Sequence, residues 1–401
     1  MAASPNAVAL PTPVSGSAAI RTGIAGLALL SFAHFMIDLY SAALGALQPL
    51  LLAKFGFSLT QAGILGGLLL LSSSLLQPVY GYLSDRLHSR LFTVLAPAMA
   101  GIFISALGLA PSYLWCIALV ILGGAGIASF HPQASARVTH GVATARGAWM
   151  AIFISAGTLG MALGPTFFSL IPARFGLENT HWAAVPGVLC TILLWFTLSE
   201  TPVSTTRRKY DLSAFREARR PLTLLFFCVF VRSVVQVTYA QLLPLYLSRE
   251  RHMTVAVANY TLSLYLMFGA IGGFLGGRLA DRIGGRKVIM FSFAGSVPFL
   301  LLFFFASGPA SIVGLLLGGL ILLFTIPVNV VMAQDLAPAQ TGTVSALMMG
   351  FAWGSSGLIF VPLTGWASDH YGMHASMLAL AFFPLIGFFL AKALPDIRHG
   401  S

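Results

Sequence analysis

The chain has 401 residues; 57% are hydrophobic, and only 33 carry a formal charge, 22 Lys+Arg against 11 Asp+Glu. Soluble domains carry roughly 25% charged residues, and the 8% found here excludes a water-facing surface for most of the chain and implies an integral membrane protein. The net charge of +11 does not argue for a nucleic-acid partner, because basic residues flanking apolar runs mark cytoplasmic loops.

Residues 1–20 are rich in Ala, Ser and Pro and carry no charged side chain. They lack the basic opening of a secretory signal and are expected to form a disordered tail before an uncleaved first helix. Six apolar segments follow, near 22–48, 59–83, 91–110, 112–136, 147–171 and 182–199. After a polar stretch come six more, near 221–247, 255–279, 288–306, 310–333, 343–367 and 374–394. Each is close to the about 20 residues a bilayer requires. The runs are long and do not alternate, so helices rather than a barrel are predicted. With the N-terminus placed in the cytoplasm, 17 of the 22 basic residues fall on the cytoplasmic side. Lys54, Arg174, Arg249 and Arg251 fall outside, and Arg232 lies within a span. That asymmetry puts both termini in the cytoplasm. Tyr113, Trp115, Trp182 and Trp366 then lie near outer ends of spans, as an aromatic belt does. Cys116, Cys190 and Cys228 are widely separated in apolar surroundings and read as small apolar filler, with no metal site implied.

The two sides of the polar stretch repeat each other. Pro49 and Pro244 are 195 residues apart, as are Pro132 and Pro327, and Gly147 and Gly342. Gly81-Tyr-Leu-Ser-Asp85-Arg86 matches Gly277-Arg-Leu-Ala-Asp281-Arg282 at an offset of 196, which also relates Phe175-Gly176 to Tyr371-Gly372. A constant offset over several landmarks is an internal repeat. The predicted fold class is therefore an all-α integral membrane protein, with twelve transmembrane helices in two pseudo-symmetric six-helix halves. The halves are expected at 21–199 and 221–395, joined by a basic cytoplasmic linker at 200–220, with a short tail at 396–401. Parallel halves of this kind rock about a central site.

Ionisable residues inside spans are few, costly and tied to function. His34 and Asp38 share a face of span 1 at i,i+4 spacing, which Tyr40 and Ser41 extend. His131 lies in span 4. Arg232 and Gln236 share a face of span 7, with Tyr239 a further turn along. Asp38 and Arg232 lie at nearly the same depth in equivalent helices, and a common polar cavity, with an ion pair between them, is the expectation. Asp38, His34 and His131 are the expected proton-coupling groups. Arg232, Gln236, Tyr239, Tyr40 and Ser41 are the expected substrate contacts, Arg232 offering its fork to an anion. Plainer readings stand beside these. His131 precedes Pro132 and would satisfy carbonyls freed by it, His34 would bond a neighbouring helix, and Asp38 with Arg232 would be a structural pair.

The loops Gly81–Arg90 and Gly277–Lys287 resemble the signature loop of the major facilitator superfamily, the second copy more closely than the first. That resemblance makes Asp85, Arg86, Arg90, Asp281, Arg282 and Arg286 gating or structural residues. The run Gly157-Thr-Leu-Gly160-Met-Ala-Leu-Gly164-Pro165 resembles the antiporter motif of drug-exporting facilitators. Gly160, Gly164 and Pro165 serve equally as close packing with a helix bend; Thr166, Phe167 and Phe168 replace the later glycines of that motif. His34-Phe-Met-Ile-Asp38-Leu-Tyr40, Ser73-Ser74-Leu-Leu-Gln77-Pro78 and Phe130-His131-Pro132-Gln133-Ala134-Ser135-Ala136 resemble the fosmidomycin resistance proteins of that superfamily, over about residues 25–395. The resemblance implies proton-coupled export of small, anionic or amphiphilic drug-like molecules such as fosmidomycin across the bacterial inner membrane. Protons would be the coupling ion, the partners a small-molecule substrate and the lipid bilayer, and the chain a monomer with no other cofactor. Uptake symport or facilitated passage on the same fold is the alternative. A membrane enzyme or ATP-driven pump ranks last, since no Gly-Lys dipeptide occurs to form a phosphate-binding loop.

Overall fold

The computed structural model of the chain describes residues 16–87, 89–139, 146–198 and 218–396. In a bilayer every backbone polar group needs an internal partner, and helices supply one within the segment itself. Among the described residues, twelve helical stretches are long and apolar enough to cross. Spans 1–6 are Gly23–Phe55, Leu59–Ser84, Leu91–Leu109, Tyr113–Val138, Gly147–Phe175 and Leu177–Thr197. Spans 7–12 are Arg219–Arg249, Val255–Ile283, Gly285–Phe305, Gly308–Leu336, Thr341–Tyr371 and Met373–Lys392. Each coincides with a predicted segment and departs from it only at the ends. Most of the expected linker, through residue 217, lies outside the described residues, as do 1–15 and 397–401.

The repeat seen in sequence is a repeat of local structure. Gly176 and Gly372, 196 residues apart, open spans 6 and 12 with φ of +89° and +85°, a backbone that only glycine adopts freely. Ser58 caps span 2 by accepting from the Gln61 amide, and Thr254 caps span 8 by accepting from the Val257 amide; the same offset relates these caps. Arg90 donates to the carbonyls of Trp195 and Leu198 at the end of span 6. Its equivalent, Arg286, donates to Lys392 O at 2.6 Å, at the end of span 12. In each half, a loop arginine thus closes the C-terminus of the last helix. Gln133 adds a tie in the first half, donating to Ser84 Oγ at 2.7 Å and Ser89 O at 2.9 Å.

The halves interlock at the end predicted to be outer. Span 2 meets span 11 through Gly63, Gly66 and Gly67, which leave no room for a side chain beside Val361 and Pro362. Gly45 lies against the Ala240 carbonyl. Asn259 Nδ2 donates to Ala46 O at 3.2 Å, and Thr166 Oγ1 donates to Ser263 Oγ at 2.8 Å. Asp369 of span 11 accepts from the Leu59 amide at 2.9 Å, the Thr60 amide at 2.8 Å and Thr60 Oγ1 at 2.6 Å. Nearer the middle, spans 2 and 11 each contain a π-helical turn, Leu71–Leu75 and Leu347–Phe351, and Gly354 packs against Ser74 and Leu75.

Candidate functional site

Span 1 is apolar enough to cross yet carries His34 and Asp38 one turn apart, and helix geometry stacks them on one face. Asp38 Oδ2 lies 3.3 Å from His34 Nε2, and Asp38 Oδ1 lies 3.6 Å from His131 Nε2 on span 4. Both span 1 residues are buried, at 6% and 8% exposure. The donor and acceptor atoms of the three side chains all lie within 4.8 Å of one another. His34 Nδ1 is 2.8 Å from Phe153 O on span 5, and the His34 ring stacks on the Phe153 ring with centroids 4.1 Å apart.

That carbonyl sets the His34 tautomer. A carbonyl oxygen only accepts, so Nδ1 of His34 carries its hydrogen, and in neutral His34 the Nε2 facing Asp38 is a lone pair. A lone pair and a carboxylate oxygen at 3.3 Å repel unless a proton lies between them. A proton shared by the pair, on His34 as an ion pair or on Asp38 as an acid, makes this contact favourable. His131 does not turn its ring along its own helix after Pro132; its Nε2 faces the second carboxylate oxygen.

Arg232 stands apart from this cluster. The ion pairs of Asp38 go to the two histidines, and Arg232 Nη1 donates to Gln236 Oε1 instead. The expected Asp38–Arg232 pair is not formed among the described residues. The repeat explains why. At an offset of 195, Arg232 is equivalent to Ile37, and one residue of mismatch turns a side chain by about 100° around its helix. Equal depth does not give a shared face. The Arg232 guanidinium lies over the Trp353 ring of span 11, 5.6 Å from its centroid. Arg232 is 4% exposed, and its Nε has no hydrogen-bond partner among the described residues; Tyr265 Oη on span 8 is likewise buried and unpartnered among them.

The other expected contacts divide. Tyr40 donates to Ala183 O at 2.7 Å and accepts from the Gly187 amide at 2.9 Å, so its hydroxyl joins span 1 to span 6. Tyr239 donates to Met377 O at 3.4 Å within the second half, and Ser41 donates to the Asp38 carbonyl at 2.7 Å. Of the loop residues, the side chain of Asp85 lies outside the described residues. Arg86 is exposed and donates to Tyr82 at 3.3 Å; Arg282 is also exposed. Asp281 lines a cleft of about 140 Å³ with Asp335, Pro327 and Met332. Gly160 and Gly164 bring span 5 against the backbone of span 1 at Phe35 and Leu39, just before Pro165. Phe153, Trp353 and Tyr265 carry no signal in sequence. Phe153 acts through a backbone atom, and the two aromatics are ordinary members of apolar spans.

The Major Facilitator Superfamily model matches residues 30–249 and 225–400. The chain is 31% identical over 384 residues to the uncharacterized MFS-type transporter YfnC of Bacillus subtilis, covering 92% of each chain. It is 29% identical over 400 residues to the fosmidomycin resistance protein of Escherichia coli, covering 97% of this chain and 98% of that one. Among solved structures, a bacterial homolog of the human lysosomal transporter Spinster, inward-facing and occupied, superimposes with a TM-score of 0.80 at 15% identity, covering 95% of this chain and 98% of that one.

Proposed function

The chain belongs to the Major Facilitator Superfamily, a family of transporters and not of enzymes, and from that premise we propose that it exports a small anionic or amphiphilic molecule, such as fosmidomycin, in exchange for protons. The observation that carries the reading is the carboxylate of Asp38 held between two imidazole nitrogens in a buried site. Buried ionisable groups in a span are costly and are kept where they work, and histidine gains and loses a proton near neutral pH. The proton relay is Asp38 with His34, and His131 is its second acceptor.

The cargo seat is Arg232 with Gln236. Arg232 keeps its charge at any working pH, is buried, and has no acidic partner among the described residues. An uncompensated buried cation is unfavourable, and an anionic cargo supplies the missing charge. The chain is placed in the bacterial inner membrane with both termini in the cytoplasm, and residues 21–199 and 221–395 are the moving halves. The Escherichia coli relative is named a fosmidomycin resistance protein, which supports this choice of cargo.

The test is fosmidomycin flux in proteoliposomes under an imposed pH gradient. Wild type is expected to move fosmidomycin against the proton gradient and to lose that coupling, but not gradient-free exchange, in Asp38→Asn. Flux that is indifferent to the gradient in wild type sinks the antiport reading. Accumulation in the direction of proton flow would establish uptake symport instead.

A further inference from the structure

We propose that Gly157 is the positioning residue of the His34–Asp38 pair, seating its two polar tips in register with the Phe153 carbonyl one turn earlier on span 5; this rests on the reading of that pair as the proton site. Residues 153, 157, 160 and 164 form one face of span 5, and that face lies along span 1. Gly160 and Gly164 are spaces for backbone: a β-carbon at either would strike the Phe35 or Leu39 carbonyl. Gly157 is different. A β-carbon there would fall 2.5 Å from Asp38 Oδ2, 2.5 Å from His34 Nε2 and 2.6 Å from His34 Cε1. Its nearest neighbours are the two atoms between which the shared proton lies.

A methyl group at 157 would therefore not part the helices as it would at 160. It would push the polar tips aside while His34 Nδ1 stays tethered to Phe153 O, 2.8 Å away on the same helix as the intruding methyl. The 3.3 Å contact between His34 and Asp38 is the distance that must change. Among the described residues, the titratable groups facing Asp38 are His34 from its own helix and His131 from span 4. Span 5 contributes Phe153 and Gly157, neither ionisable, and Arg232 of span 7 is engaged by Gln236. Moving the tips thus alters a coupled titration of three groups without adding or removing a charge.

The competing view is that Gly157 only permits close packing, as Gly160 does. The two views separate in the full-length protein in lipid nanodiscs, by nuclear magnetic resonance of labelled histidines titrated from about pH 5 to about pH 9. His34→Gln and His131→Gln assign the signals. In Gly157→Ala the midpoint of His34 or His131 is expected to move by about 0.5 pH unit or more. In Gly160→Ala the melting temperature is expected to fall with the midpoints in place. Gly157→Ala midpoints within about 0.2 pH unit of wild type, or equal movement in Gly160→Ala, overturns the proposal. If Asp38→Asn also leaves both midpoints unmoved, the proton-site reading fails instead. Should Gly157→Ala not accumulate, Gly157→Ala with His34→Ala and Asp38→Ser, which removes both obstructing tips, is expected to accumulate as His34→Ala with Asp38→Ser alone does. Its failure to do so overturns the proposal as well.

Discussion

His34 presents Nε2 to Asp38 at 3.3 Å because its Nδ1 is bound to the Phe153 carbonyl at 2.8 Å. The same imidazole is thus anchored at one nitrogen and faces the carboxylate with the other. Glutamine in its place keeps an amide able to donate to that carbonyl but cannot take up a proton. His34→Gln is expected to lower gradient-driven fosmidomycin flux at least about tenfold, the equivalent of about 1.4 kcal/mol, with gradient-free exchange little changed. His131→Gln, at the longer 3.6 Å contact, is expected to cost less. Equal losses in both would show that the Phe153 anchor confers nothing.

The proposed cargo seat makes a separate prediction. Arg232 lies over Trp353, and a desolvated cation–π contact is worth about 2 kcal/mol. Arg232→Gln removes the charge and is expected to abolish saturable binding of fosmidomycin. Arg232→Lys keeps the charge without the fork and is expected to bind in part. Trp353→Leu is expected to weaken binding by up to about thirtyfold, the equivalent of that energy. Calorimetry of the purified protein reads all three, and normal affinity in Arg232→Gln would remove the anion seat.

Tyr40 separates stability from transport. Its hydroxyl both donates to Ala183 O and accepts from the Gly187 amide inside the first half. Tyr40→Phe leaves a buried amide without a partner, which costs about 1–3 kcal/mol. The melting temperature in detergent is expected to fall while fosmidomycin affinity holds. A loss of affinity at unchanged stability would support Tyr40 as a substrate contact.

At the interlocked end, Gly45 leaves no space beside the Ala240 carbonyl of the other half. Gly45→Val is expected to hold that end apart. Spin-label distances between spans 1 and 7 should lengthen there and transport should stop while the protein stays folded. Unchanged distances would mean that the contact is not part of the moving interface.

Much of this architecture is legible in sequence. Hydropathy marks every span, because a bilayer demands about 20 apolar residues per crossing. The 195–196 offset exposes the repeat down to its glycines, Gly176 and Gly372. Parts of the site are not legible, for geometric reasons. His34 and Asp38 can be paired by helix spacing, but His131 comes to them from span 4 through packing that no periodicity encodes. The Arg232–Asp38 expectation fails at the azimuth, since a repeat gives height along the helix and an error of one residue gives the wrong face. Gly157 stands in the same stripe as Gly160 and Gly164, and only the atoms opposite each glycine tell them apart.

Asp369 gives span 2 a beginning that the first half does not own. The amides of Leu59 and Thr60, in the first turn of that helix, bond to a carboxylate some 310 residues away in the other half. First-turn amides have no partner within their own helix. In the proposed cycle the halves separate at this end, these two hydrogens pass to water, and on return they are covered again. Faster exchange of these two backbone hydrogens against deuterium is thereby the expected sign of that separation, in a protein that needs no probe attached.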